Sequence, residues 1–116
     1  MVKKILICGC TGQLGSSLMK IFSNDSNYEV YGISRTVERS SNTFPCEISC
    51  KKSVQNLFEL IKPEIVINTV ALTHVDKSES DKEAAFNVNV KGNKNLLEEA
   101  KKYGSYFVFI SSFYVF

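Results

Sequence analysis

The stretch Lys3-Lys4-Ile5-Leu6-Ile7-Cys8-Gly9-Cys10-Thr11-Gly12-Gln13-Leu14-Gly15 decides the fold. Its first half is a short, nearly unbroken apolar run of strand length. Such a run implies burial on both faces, hence a parallel sheet covered by helices. The second half places glycines at 9, 12 and 15, and apolar residues follow at helical spacing at Leu14, Leu18, Ile21 and Phe22. Strand, glycine turn and helix in that order are the setting of a dinucleotide fingerprint, of which G-x-x-G-x-x-G is a near relative. Gly9 is expected to make the tight exit from the strand, Gly12 to let a pyrophosphate approach bare backbone, and Gly15 to let the helix pack close to the sheet. The free amides around Gln13 and Leu14 would face the diphosphate, aided by the helix dipole. The alternative is a glycine-rich turn that binds nothing. The motif's place directly between strand and helix favours the first reading.

Outward from this unit the chain alternates. Residues 29–34 read as a second strand, 43–46 as a short third, 64–70 as a fourth and 106–111 as a fifth. Helical spacing covers 53–62, with Val54, Leu57, Phe58 and Ile61 on one face, and about 81–103, with Ala85, Val88, Gly92, Leu96 and Ala100 on one stripe. Pro63 follows the first of these helices and Gly104 suits the position just past the second. Alternating strands and helices predict an α/β fold of Rossmann type, a doubly wound parallel sheet with right-handed crossovers. Pro45 confines the third strand to an edge. The predicted strand order is therefore 3-2-1-4-5, with the ligand crevice between strands one and four, where the order reverses.

A length of 116 residues suits one modest domain. Apolar content of 44% and charged content of 22% are ordinary for a soluble globular chain. A net charge of +2 makes no case for nucleic acid or a membrane surface as partner. No apolar run approaches membrane-span length, and Lys3 and Lys4 precede too few apolar residues for a secretory signal. The expected compartment is the cytosol. Four cysteines stand at 8, 10, 46 and 50 beside a single histidine. Their spacing is not that of paired C-x2-C ligands, so reduced, part-buried thiols are expected and a metal site is not.

Four stretches carry a family resemblance: G-C-T-G-Q-L-G at 9–15, V-I-N-T-V-A-L-T-H-V-D-K-S-E-S at 66–80, N-V-K-G-N-K-N-L-L at 89–97 and I-S-S-F-Y-V-F at 110–116. With them the chain resembles the N-terminal half of an extended short-chain dehydrogenase/reductase, and within that group the dTDP-4-dehydrorhamnose reductases. The resemblance implies a nicotinamide-dependent reductase of a keto group on a nucleotide-linked sugar. At the end of the second strand, Ser34-Arg35-Thr36 offers no carboxylate for a ribose 2′-OH. A guanidinium there can pair bidentately with a 2′-phosphate, so NADP(H) is expected to be preferred over NAD(H). The alternative is a solvated loop arginine. Glu47 and Ile48 stand where the family has aspartate and an aliphatic residue near the adenine. Val70, Ala71 and Leu72 would line the nicotinamide-ribose side, unless they are simply core. Asn89 matches an asparagine that orders the active site in the family, unless it is a locally bonded helix residue. Asp76 and Glu79 read as solvated residues on a short helix, and His74 has no assigned role.

The same resemblance puts Ser112, with Ser111 beside it, at the hydroxyl that orients the substrate carbonyl, although Phe113 replaces the usual aspartate. The family's proton donor is a tyrosine followed four residues later by lysine. None of the five tyrosines has that partner, and Tyr114 belongs to the Y-V-F motif instead. Residues 1–116 are thus expected to form the dinucleotide-binding portion of a longer fold, without its substrate-binding C-terminal portion. Such a portion would be catalytically incomplete and would meet a nucleotide sugar only when completed by further residues. A partner chain over the fifth strand is a related expectation, because its aromatic faces (Phe107 and Phe109; Tyr106, Val108 and Ile110) call for covering layers. A different class of function is a non-catalytic NADP-binding regulator. The regulatory subunit of methionine adenosyltransferase resembles the same family and shares the I-S-S-x-Y-V-F ending. A non-functional gene remnant is the third reading.

Overall fold

A computed structural model describes residues 2–70 and 79–110, with the backbone alone for residues 79–88. In chain order the elements are β1 (Lys3–Cys8), α1 (Gln13–Ser23), β2 (Tyr28–Ser34), β3 (Thr43–Pro45), α2 (Lys51–Ile61), β4 (Ile65–Asn68), α3 (Glu79–Tyr103) and β5 (Tyr106–Phe109). The five strands form one sheet in the order β3-β2-β1-β4-β5. Every pairing is parallel. The order predicted from Pro45 and the alternating pattern is the one observed. β1 is central: Ile5 stands level with Val30 on one side and Ile65 on the other.

The two-residue period of a strand explains why β1 is apolar throughout. Ile5 and Ile7 face α1, where Val30, Ile67, Leu18, Met19 and Phe22 complete one core. Leu6 and Cys8 face the opposite side. There they join Ile33 and Val66 beneath Val54, Leu57, Phe58 and Ile61 of α2 and Leu96 and Ala100 of α3. Each fully buried aliphatic side chain of this kind contributes roughly 1.5–3 kcal/mol. β5 is covered unequally. Phe107 packs against the second core, whereas Tyr106 is 76% and Val108 40% exposed.

Several boundaries differ from the sequence expectation, for local reasons. β4 stops at Asn68, where Thr69 makes the last bond to the end of β1 and Val70 folds back. Thr69 donates its backbone N–H (3.0 Å) and its hydroxyl (2.6 Å) to the carbonyl of Cys8. The N–H of Val70 turns back to Asn68 Oδ1 at 3.0 Å. β3 ends at Pro45, one residue before the predicted 46, after a last ladder bond from the Cys46 N–H to the Ser34 carbonyl at 2.9 Å. α2 begins at Lys51, two residues before the predicted 53, and β5 ends at Phe109. Glu79 opens α3 itself instead of lying on a separate short helix. α3 closes as expected. Gly104 has φ +70, and the N–H of Ser105 donates to the carbonyl of Ala100 at 2.8 Å, satisfying the last turn.

α1 begins hard against the end of β1. A Cβ placed on Gly15 would lie 1.9 Å from the Gly9 carbonyl oxygen, a backbone atom that cannot swing aside. Gly15→Ala is therefore expected to cost about 3 kcal/mol or more and to lower Tm by more than about 10 °C, read by thermal circular dichroism. A melting curve within a few degrees of the parent chain would contradict this packing.

Candidate functional site

The C-terminal ends of β1, β2 and β4 are level, Cys8 standing beside Ile33 and Asn68. The chain leaves β1 through Gly9, whose φ of +83 is accessible to glycine at little cost. The N–H groups of Gly9 and Cys10 both donate to the carbonyl of Ile33, at 2.8 and 3.0 Å. Thr69 ties the same turn to β4 through Cys8. The glycine turn is thus laced to both neighbouring strands.

Above it, Gly12 caps α1 with extended backbone and no side-chain cap. The N–H of Gly12 donates to the Gly9 carbonyl at 3.1 Å, and the carbonyl of Gly12 accepts from Ser16 at 2.9 Å. The amides of Gln13, Leu14 and Gly15 donate to no carbonyl among the described residues. Thr11, Gly12, Gln13 and Leu14 are exposed, and Gly15 is buried. The three glycines differ in what the fold asks of them. A Cβ on Gly9 would lie 2.6 Å from Thr69 Oγ1 and one on Gly15 1.9 Å from backbone. A Cβ on Gly12 would meet nothing closer than 3.4 Å, an ordinary contact.

A cavity of about 260 Å³ opens beside this turn. It is lined by Gly9 and Thr11 of the turn, Ile33 to Thr36, Cys46 to Ile48, Val70 and Asn89. The structure therefore brings together Gly9, Ser34, Arg35, Thr36, Glu47, Ile48, Val70 and Asn89 of the predicted site residues. Gly12, Gln13 and Leu14 stand next to the cavity at the start of α1, outside its lining, and Gly15 lies within the helix–strand contact. Ala71, Leu72, Ser111 and Ser112 lie outside the described residues, as do His74 and Asp76. A volume of this size lies just below the usual range of small-molecule pockets.

The walls are shaped by polar contacts. Ser34 Oγ accepts from the N–H of Val37 at 2.9 Å and of Thr36 at 3.3 Å, curling the loop that carries Arg35. Arg35 is an exposed side chain whose Nε lies 3.8 Å from Glu47 Oε2. Opposite, the Glu47–Ile48 wall is braced by α3. Asn95 Nδ2 donates to the carbonyl of Ile48 at 2.9 Å. Gly92 makes room for the Ile48 side chain, which a Cβ there would meet at 2.4 Å. Thr11, Ile33 and Cys46 in the lining, and the braces Gly92 and Asn95, were not singled out as site residues from sequence. Gly92 stands on the stripe of α3 read from the sequence, but nothing in the sequence marks it or Asn95 as a brace.

All four cysteines are free thiols. Burial pushes the Cys46 thiol up to about 11, holds Cys8 well above the ordinary range, and raises Cys10. Cys50 is the opposite case. It is exposed at the start of α2, and hydrogen bonds from Ser53, side chain then backbone, lower its pKa.

With this geometry in view, the chain can be set beside known proteins. Residues 3–116 match the family described as RmlD substrate binding domain. The chain belongs to this family. Among curated relatives, dTDP-4-dehydrorhamnose reductase of Aggregatibacter actinomycetemcomitans is 34% identical over 113 residues, 97% of this chain and 36% of that protein. Methionine adenosyltransferase 2 subunit beta of Rattus norvegicus is 31% identical over 115 residues, 98% of this chain and 34% of that one. Among solved structures, dTDP-4-dehydrorhamnose reductase from Bacillus anthracis str. Ames in complex with NADP has a TM-score of 0.75 at 26% identity, covering 92% of this chain and 35% of that chain. UDP-glucose 4-epimerase from Thermus thermophilus in complex with NAD has a TM-score of 0.75 at 26% identity, covering 87% and 34%. The chain spans about a third of the length of these curated relatives.

The thiol environments set a reactivity order. At pH 7–8 the exposed Cys50 carries the largest thiolate fraction, because its pKa is lowered while the buried three are raised. Brief iodoacetamide treatment of the folded chain, read by peptide mass spectrometry, should label Cys50 first, with the rate rising as pH approaches its lowered pKa. Equal labelling of Cys8 and Cys50 would refute this order.

Proposed function

We propose that this chain is the NADP(H)-binding portion of a nucleotide-sugar reductase of the dTDP-4-dehydrorhamnose reductase type. The observation that carries the reading is Gly12. Gly9 and Gly15 are glycines because the fold leaves no room for a Cβ, whereas at Gly12 a Cβ would meet only an ordinary 3.4 Å contact, at an exposed helix start. A residue without a side chain at that spot serves something outside the chain. An anionic diphosphate suits the undonated amides of Gln13, Leu14 and Gly15 and the positive end of the α1 dipole.

The remaining residues take roles consistent with this. Gly9 and Gly15 set the height of the helix over the strand end. Ile48 and Glu47 flank the adenine end, Arg35 meets the 2′-phosphate with Ser34 and Thr36 shaping its loop, and Val70 and Asn89 border the nicotinamide end. Ala71, Leu72, Ser111 and Ser112 extend that end by family resemblance, with Ser112 orienting a carbonyl oxygen. The bound cofactor would supply hydride to a sugar keto group, and substrate recognition is assigned to parts of the longer relatives that these residues do not represent. The NADP complex of the Bacillus anthracis enzyme supports the cofactor class, and the NAD complex of the epimerase allows NAD(H) as second choice. The cytosol is the proposed compartment.

A second reading, a non-catalytic NADP-binding subunit that assembles with a partner enzyme, is favoured by the similarity to methionine adenosyltransferase 2 subunit beta. It differs in one readout, co-elution with a methionine adenosyltransferase catalytic subunit, which the reductase reading does not expect.

Titration calorimetry with NADPH and NADH tests the main proposal. Gly12→Ala should cost less than about 1 kcal/mol of stability yet weaken both nucleotides about tenfold or more. Arg35→Ala should weaken NADPH by about 10- to 100-fold, the value of a charge-assisted pair, with NADH changed by less than about threefold. A folded parent chain that binds neither nucleotide would sink the proposal; equal affinities in parent and Arg35→Ala would sink the NADP preference.

A further inference from the structure

Arg35 is the one cation and Glu47 the one anion lining the cavity among the described residues. They approach each other at its mouth, Nε to Oε2 at 3.8 Å. The two side chains are not held alike. Glu47 Oε1 accepts from the Ser49 hydroxyl at 3.1 Å and faces the Ser49 N–H at 3.4 Å. Its backbone is pinned on both sides, since Cys46 N–H donates to the Ser34 carbonyl at 2.9 Å and Asn95 holds the carbonyl of Ile48. Arg35 carries no comparable anchor among the described residues, and its side chain is 74% exposed against 40% for Glu47. A carboxylate held by Ser49 thus stands beside a largely exposed guanidinium.

We infer that Glu47 is a specificity-determining residue that competes with the 2′-phosphate of the cofactor for Arg35. This rests on the dinucleotide reading above and concerns the choice between the two nucleotides. A 2′-phosphate is close to a dianion at neutral pH. To reach Arg35 it must take the guanidinium from Glu47 and then sit beside the carboxylate left behind. A ribose 2′-OH meets no such repulsion, and a carboxylate already oriented by Ser49 can accept its hydrogen bond. Arg35 and Glu47 therefore pull in opposite directions, and the chain binds both nucleotides with a modest preference. Residue length matters: aspartate, the residue that the resemblance places here, is one methylene shorter and would not extend as far toward Arg35.

The test measures NADPH and NADH affinities by titration calorimetry for the parent chain, Glu47→Gln and Glu47→Asp. Thermal melts check that each variant is folded, and the half-exposed position makes folding tolerant of both. Glu47→Gln should tighten NADPH by about three- to fivefold, the scale of an exposed ion pair, and leave NADH unchanged or weaker. Glu47→Asp should shift the NADPH-to-NADH ratio in the same direction by less. If both nucleotides bind and neither variant moves that ratio, or if it moves toward NADH, the inference falls while the dinucleotide reading stands. If the folded parent chain binds neither nucleotide, the dinucleotide reading falls and takes this inference with it.

Discussion

The closeness of α1 to the end of β1 is the constraint on which the rest of the site depends. A helix can start over a strand end only where the facing backbones approach without side chains between them, and Gly15 over the Gly9 carbonyl supplies that contact. Once the helix is seated there, its first amides have no carbonyl to meet among the described residues. The turn beneath cannot drift, because Gly9 and Cys10 both donate to Ile33 on one side and Thr69 donates to Cys8 on the other. One glycine turn therefore fixes the mutual height of three strand ends and a helix start.

The opposite wall of the cavity depends on contacts far apart in sequence. α3 lies over the sheet, and Gly92 lets Ile48 reach the helix surface while Asn95 holds its carbonyl. Asn68, fully buried at the end of β4, donates to Asn93 Oδ1 at 3.0 Å and accepts from Val70. Three asparagines thus fasten α3 to the end of β4 and to the Ile48 loop beside the cavity. Buried amides left without partners would be costly, and among the described residues no buried side-chain N or O lacks one. These bonds position α3 as well as stabilise it.

Much of the fold was legible in the sequence because the relevant signals are local. The apolar run of β1, the glycine spacing, Pro45 in an outer strand and Gly104 after α3 each follow from the chemistry of one or a few neighbouring residues. The strand order followed from them by handedness and edge rules. The limits of the elements were less legible, since Thr69 still bonds the end of β1, 61 residues earlier, and only the N–H of Val70 turns back to the Asn68 side chain. The same holds for the cavity. Residues flanking the motif, such as Ser34 and Arg35, could be picked from their place at a strand end. The braces Gly92 and Asn95 could not, because their partners are 44 and 47 residues away, at Ile48, and only the folded chain brings them together.

The charges at the cavity mouth show why energy scale decides function here. A buried Arg–Glu pair costs about 3–5 kcal/mol to break from one side, more than a single phosphate contact of about 1.5–3 kcal/mol would recover. Such a pair would lock a ligand out. At the exposures of Arg35 and Glu47, 74% and 40%, the pair contributes at most about 1 kcal/mol. A separation of 3.8 Å is also beyond hydrogen-bond range. On the proposed dinucleotide reading, an anionic ligand would take over the guanidinium at low cost, while the carboxylate, tied to Ser49, would stay in place and bias which ligand does so. Weakness in this one contact is what leaves the site exchangeable, whereas the glycine turn below it must be rigid.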